Sequence, residues 1–201
     1  MNYRLKVMLS DSKIIVPNGI YFHLIVPDDI TFLQLHKIIM AATNYLDYHL
    51  WTFMFKDNYE VKILYPDDDS DYNRYRVDHG DVPITFVDAT STPLSELFSK
   101  YKKCNYVYDF GDYNEFTITL KKTYKEPLVY GVMDHNGIFP PEDVGGIGGF
   151  IDFLDYKAKG KNGSSEEQDY VRHYENLGYK PLNPVATTTR IQKIIREGEL
   201  N

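Results

Sequence analysis

Tyr3, Leu5, Val7 and Leu9 alternate with polar or small residues, the period of a strand buried on one face. The turn signal Pro17-Asn18-Gly19 follows, and then a second strand through Tyr21-Phe22-His23-Leu24-Ile25-Val26. The period then changes. Ile30, Leu33, Leu35, Ile38, Ile39 and Ala42 recur at helical spacing, which predicts an amphipathic helix over about 30–43, with Pro27-Asp28-Asp29 stopping the strand and offering the cap. A strand pair handing over to one amphipathic helix confines the chain to a layered arrangement, because each element has a single apolar face to cover.

The rest of the chain repeats this logic. Leu50–Phe55 and Tyr59–Tyr65 read as strands, and Val82–Val87 as a short one. Between them, Pro66-Asp67-Asp68-Asp69-Ser70-Asp71 is the densest acidic stretch and reads as a solvated loop. Calcium loops share that composition, but the EF-hand pattern is not met, since Tyr72 stands where the sixth-position glycine belongs and the closing Glu is absent. Thr92-Pro93-Leu94-Ser95-Glu96 matches a cap followed by proline at the first helical position. Cys104–Phe110 and Tyr113–Lys121 read as a hairpin closed at Gly111-Asp112, with Gly111 supplying a positive φ. The glycine-rich segment 145–149 leads into a helix from Phe150 to about Lys157.

Gly160-Lys161-Asn162-Gly163-Ser164-Ser165 is expected to be a mobile loop. Ser164 or Ser165 can cap a helix reaching about Leu177, with Glu167 or Gln168 completing a capping box and Gly178 closing it. Tyr179–Pro184 reads as extended and Thr187–Arg196 as a terminal helix. The expected fold is α+β, a mostly antiparallel sheet with packed helices and a helical C-terminal segment. Residues 1–158 are expected to form the α+β domain, and 159–201 a helical extension packed on it.

Charge and cysteine content narrow the function classes. Net charge is −7, which disfavours non-specific binding to nucleic acid or anionic membranes. The best basic patch, Lys100, Lys102 and Lys103 beside Tyr101 and Tyr106, reads as a solvated face. Cys104 is the only cysteine, so no internal disulfide or cysteine-rich zinc site can form. Met1–Val7 lacks a signal-peptide core and no apolar run approaches the roughly 18 residues of a membrane helix, so a cytoplasmic protein is expected. The chain holds 18 tyrosines, which suit contact surfaces as well as half-buried strands. Tyr106, Tyr108 and Tyr113 are therefore candidates for an interaction surface.

Two constellations bear on chemistry. Asp109, Asp112, Glu115, Glu142 and Asp143 could bind a divalent cation or act as acid and base, or could simply satisfy the amides of their own turns. His36 and His49 flank the end of the first helix and could meet there, making a metal site with a carboxylate, although their spacing matches no compact ligand motif. No cofactor is expected, although these residues leave room for a divalent metal. Gly145, Gly146, Gly148 and Gly149 form a candidate ligand loop resembling an anion cradle. No Walker lysine follows, Ile151 stands where a dinucleotide fingerprint needs its third glycine, and Glu142 and Asp143 would repel phosphate. No G-x-S-x-G elbow occurs, and Cys104 has no local basic partner, so nucleophilic catalysis is not indicated.

Four blocks carry a family resemblance: Val26-Pro27-Asp28-Asp29-Ile30-Thr31 through Leu35-His36; Tyr45-Leu46-Asp47-Tyr48-His49-Leu50 through Phe53; Tyr108-Asp109-Phe110-Gly111-Asp112; and Pro140-Pro141-Glu142-Asp143-Val144-Gly145-Gly146. In this order they resemble the plasmid pRiA4b ORF-3-like proteins. That resemblance implies a compact α+β fold and an association with mobile genetic elements. The chain departs from the family pattern at Tyr21-Phe22-His23 for a usual Trp-Arg-Arg, at Tyr113-Asn114-Glu115 for Trp-x-His, and at Val144 for Cys. The expectation is an accessory protein, non-enzymatic, that binds a protein partner or itself through a tyrosine-rich face. The alternatives are a metal-dependent hydrolase or nuclease built on the His/Asp/Glu residues, and a small-molecule sensor with its groove between hairpin and glycine loop.

Overall fold

The computed structural model describes residues 1–64, 82–126 and 128–197; the acidic stretch at 66–71 and Tyr72 lie outside them. Eight strands form one sheet in the order β5-β4-β3-β6-β7-β1-β2-β8. They are β1 (Asn2–Leu9), β2 (Tyr21–Pro27), β3 (Trp51–Phe55), β4 (Tyr59–Lys62), β5 (Thr85–Asp88), β6 (Lys103–Tyr108), β7 (Asn114–Tyr124) and β8 (Gly131–Asn136). Only the β4–β5 pair is parallel. The helices among the described residues are α1 (Phe32–Thr43), α2 (Leu94–Phe98), α3 (Gly146–Lys159), α4 (Ser165–Asn176) and α5 (Pro184–Glu197). The fold is α+β, as the alternation of periods implies. None of these helices is long and apolar enough to cross a membrane.

One sheet face is the core and the other meets water. Along β1, Tyr3, Leu5, Val7 and Leu9 are buried at 0–3% exposure, while Arg4, Lys6 and Met8 on the opposite face are half-buried. The register places Leu5 opposite Leu24 and Leu120, and Val7 opposite Phe22 and Ile118, so one apolar row crosses the middle of the sheet. Phe32, Leu35, Ile38 and Ile39 of α1 close over that row. The Phe32 ring lies 5.2 Å from Phe53 and 5.7 Å from Phe55. Burying each such ring contributes on the order of 2 kcal/mol. The terminal helix α5 packs on β8 and beside α1, where Gln34 Nε2 donates to the Ile194 carbonyl at 3.1 Å.

Several local expectations are corrected. Thr31, not the 27–29 segment, caps α1 through a capping box with Gln34. Residues 28–31 are instead held against the 92–95 segment, where Ser95 N–H donates to the Asp28 carbonyl and Leu94 N–H to that of Ile30. Pro93 occupies the cap position of α2, ahead of the first helical residue. The β6–β7 turn is wider than a Gly-Asp hairpin: Asp109 and Tyr113 adopt positive φ, at 59° and 52°, and Gly111 does not. The α3 helix begins at Gly146, four residues before the expected start at Phe150. A strand at 131–136 and a 3-10 turn at Ser12–Ile14 have no clear periodicity in the sequence and appear only in the structure. The expected capping box on α4 is present, with Ser164 and Glu167 as its partners. The 160–165 segment contains a short 3-10 turn, Gly160–Asn162, between α3 and α4.

Candidate metal centre

One end of the sheet gathers three connections: the 44–50 segment leaving α1, the 109–113 turn between β6 and β7, and the Pro140–Gly146 approach to α3. The first two are stitched by Asp109 N–H donating to the Leu50 carbonyl at 2.9 Å. Asn44 and Asp47 both take positive φ, which turns the chain sharply out of α1 and returns it to β3. Asn and Asp tolerate that conformation better than other side chains.

Two buried networks hold this end rigid. His36 is wholly buried, with Nε2 2.7 Å from Asp47 and Nδ1 2.7 Å from the Tyr106 hydroxyl. Burial pushes the imidazole pKa down, so the ring is neutral near pH 7; it then donates from Nε2 to the carboxylate and accepts from Tyr106 at Nδ1. Burial opposes the Asp47 charge as well, but hydrogen bonds from His36 and Lys37 outweigh it and bring that carboxyl to about 2. Trp51 stacks flat on His36 at 4.1 Å. In the second network the buried carboxylate of Glu142 accepts from the Tyr108 hydroxyl and, at 2.7 Å, from Leu46 N–H. The Tyr108 oxygen in turn accepts from Tyr48 N–H at 3.0 Å.

These networks separate the expected site residues. His36 and His49 do not share a site, because each faces its own carboxylates. Tyr106 and Tyr108 are fully buried core residues and cannot present a contact surface; Tyr113 is exposed. The glycine loop is a packing device. Gly145 is the N-cap of α3 with φ 88°, and its N–H donates to Asp112 Oδ2 at 2.8 Å, so the protein's own carboxylate occupies the anion-binding end of the helix. A Cβ on Gly146 would overlap the Asp112 carbonyl oxygen, and one on Gly149 that of Val144, whereas Gly148 faces open space. Cys104 is buried and its thiol is pushed up by burial, which leaves it an inert apolar group.

What does converge is His49, Asp109 and Asp143, whose ligand atoms all lie within 4.8 Å of one another. His49 Nδ1 is 3.7 Å from Asp109 Oδ1, and Nε2 is 3.0 Å from Asp143 Oδ1. The second distance fits a hydrogen bond but the direction does not, so the buried Nε2 makes none. Asp109 is 8% exposed and Asp143 is open to solvent. Tyr45 stacks on Tyr108 at 5.2 Å, and its wholly buried hydroxyl has no hydrogen-bond partner among the described residues. Burial, with the charges of Glu142, Asp112 and Asp109 adding to it, pushes that phenol far up, so it stays neutral. One imidazole and two carboxylates are a borderline-hard donor set suited to Zn²⁺ or Mn²⁺, and three protein ligands leave coordination positions open.

Next to this cluster, and sharing His49 with it, lies a cavity of about 480 Å³. Tyr48, Leu50, Trp51, Ile63 and Phe110 supply its apolar lining and Asp47, His49, Thr52, Glu60 and Lys62 its polar groups.

Residues 1–183 match the profile of the plasmid pRiA4b ORF-3-like proteins. The chain belongs to that family. It is 32% identical over 178 residues to the uncharacterized protein y4hQ of Sinorhizobium fredii, covering 87% of this chain and 78% of the relative. Its fold is similar to the crystal structure of a protein of unknown function, MM3350 from Methanosarcina mazei Go1. That match has a TM-score of 0.67 at 24% identity and covers 92% of this chain and 95% of the other. The family blocks at 45–50, 108–112 and 140–146 are the three segments that meet at this end of the sheet. Sequence reading named His49, Asp109 and Asp143 but overlooked Tyr45, Asp47, Tyr48 and Trp51, although three of these four flank His49 in the 45–50 block.

Proposed function

We propose that the protein is a metal-dependent hydrolase whose cation is held by His49, Asp109 and Asp143 at the edge of the 480 Å³ cavity. The observation that supports this reading is the convergence of ligand atoms from His49, Asp109 and Asp143 within 4.8 Å of one another, with the buried His49 Nε2 making no hydrogen bond among the described residues. A bound divalent ion lowers the pKa of coordinated water and polarises a carbonyl or phosphoryl oxygen. The chain's own groups orient the ligands: Gly111 N–H, 2.9 Å from Asp109 Oδ1, steers that carboxylate, and the Tyr108 ring meets His49 edge-on at 5.6 Å.

The test is metal content and thermal stability of wild type, His49→Ala and Asp143→Asn with Zn²⁺, Mn²⁺ and Mg²⁺. At a ligand concentration 100-fold above Kd the stabilisation is about 2.7 kcal/mol. For a chain of this size that raises Tm by roughly 5–11 °C. The wild type should show this rise with one of the ions and both variants should lose it; a wild type that no ion shifts ends the reading. Metal-dependent release of nitrophenol from ester and phosphoester substrates follows from a positive result.

A second reading, partner binding in an accessory role on mobile elements, is favoured by one observation. Leu46, Tyr48, Leu50, Phe110 and Tyr113, exposed by 51–75%, all lie on the two turns at this end. Exposed apolar groups clustered in this way mark contact sites. Sedimentation of the wild type beside Tyr48→Ser/Leu50→Ser checks self-association, and unchanged monomers in both remove that form of it.

A further inference from the structure

The cavity beside the cation cluster has a mixed lining that indicates what it accepts. Three of its lining residues, Tyr48, Leu50 and Phe110, are exposed by 75%, 72% and 51%, which is unusual for large apolar side chains from two separate loops. Trp51, also in the lining, is held by its stack on buried His36, and Ile63 adds further apolar surface. The polar lining is Asp47, His49, Thr52, Glu60 and Lys62. Asp47 is paired with His36 and Lys37, Thr52 Oγ1 donates to Glu60 Oε1 at 3.1 Å, and the Lys62 ammonium sits 4.5 Å from the centre of the Phe86 ring. A cavity of about 480 Å³ falls within the range of small-molecule sites, and mostly apolar walls with a few convergent polar groups are their usual make-up.

Resting on the cation reading above, we infer that this site takes a flat aromatic ring bearing an oxyanion, with the ring among Tyr48, Trp51 and Phe110 and the oxyanion on the ion held by His49, Asp109 and Asp143. Two features support the pairing. His49 belongs to both the cavity wall and the ligand set, so a group entering the cavity passes beside the ion. The anionic end needs the ion, because Asp109 and Asp143 alone would repel it, whereas aromatic and apolar walls favour a ring whatever the charge nearby. A nucleoside monophosphate and an aromatic carboxylate share this chemistry.

Trp51 is the only tryptophan in the chain, so its emission reports directly on the cavity. The probe is benzylphosphonate, which carries the ring and the oxyanion and does not hydrolyse, titrated into full-length protein with Zn²⁺ or with EDTA. The expected result is a saturable change in Trp51 emission with Zn²⁺, with affinity about tenfold weaker in EDTA. Affinity should also fall about tenfold in Phe110→Ala or Tyr48→Ala, a loss of the size seen when one stacking aromatic is removed. Both side chains are exposed and outside the ligand set, so these variants should keep the metal-dependent Tm rise. Methylphosphonate, lacking the ring, should leave Trp51 emission unmoved. Competition by AMP points to nucleotides and competition by benzoate to aromatic acids; competition by neither overturns the inference. A retained Tm rise with no response to benzylphosphonate, or with equal affinity in all variants, overturns the inference and leaves the cation reading standing. The absence of both the Tm rise and any difference between Zn²⁺ and EDTA overturns both.

Discussion

Glu142→Ala tests whether the 44–50 segment is held in place from below. The Glu142 side chain is a buried carboxylate with two donors, the Tyr108 hydroxyl and Leu46 N–H at 2.7 Å. Hydrogen bonds to a charged group are worth about 1.5–3 kcal/mol each, and a donor left buried without an acceptor costs about 1–3 kcal/mol. Relief from desolvating the carboxylate offsets part of that loss. The two bonds share one acceptor group, so their effects do not add fully, and a net loss of about 3 kcal/mol is expected. For a chain of 201 residues this lowers Tm by roughly 6–12 °C. Glu142→Gln retains one carbonyl acceptor and should lose about half as much. Urea unfolding followed by circular dichroism measures both through the midpoint at constant slope. A Glu142→Ala midpoint within about 0.5 kcal/mol of wild type, the ordinary range of a surface change, would refute the clamp.

Other consequences follow from the same geometry. The His36 pKa is lowered from 6.5, so as pH falls below 6.5 the unfolded chain takes up a proton that the buried ring refuses, and stability drops. Asp47 acts lower down: its carboxyl moves from 3.8 to about 2, so the stability it contributes is full above about pH 4 and lost as pH falls toward 2. Stability measured from pH 7 to 3 should therefore slope downward, and Asp47→Asn should flatten the segment below pH 4; an unchanged slope there refutes the assignment. Gly146→Ala, with φ 61° and the Asp112 carbonyl in its way, should cost about 2 kcal/mol or more. Gly148→Ala meets nothing within 4 Å inside α3 and should stabilise by about 0.5–1 kcal/mol, so thermal melts of the pair should move in opposite directions.

The elements with a strong period were legible, and His49, Asp109 and Asp143, which the fold brings together, stood among the candidate ligands. Alternation along Tyr3–Leu9 is the buried face of β1, and the helical spacing from Ile30 is α1. Ser164 followed three residues later by Glu167 is a local hydrogen-bond pair that needs no tertiary partner, which explains why that capping box was readable. The 131–136 strand was not legible, because it lies at the sheet edge and alternates weakly; pairing with β2 makes it a strand. The packing role of the glycine segment was not legible, because only the tertiary structure shows that Gly146 and Gly149 let the α3 backbone approach Asp112 and Val144. Tyr106 and Tyr108 were misread as surface because tyrosine composition says nothing about where a hydroxyl finds its partner. In this fold His36 and Glu142 supply those partners inside the core.

By itself, then, the sequence determined the class of fold, the face of each periodic element that is buried, and the three segments rich in Asp, His and Gly. These are local properties, set by side-chain period and by hydrogen bonds a few residues apart. Only the tertiary structure decided which acids remain available. Asp112 and Glu142 are bound to backbone amides 33 and 96 residues away, His36 is bound to Tyr106 across 70 residues, and His49, Asp109 and Asp143 are left facing one another. No short-range pattern distinguishes a carboxylate that satisfies a distant amide from one turned toward a cation, because the difference lies in which strand ends the sheet brings together.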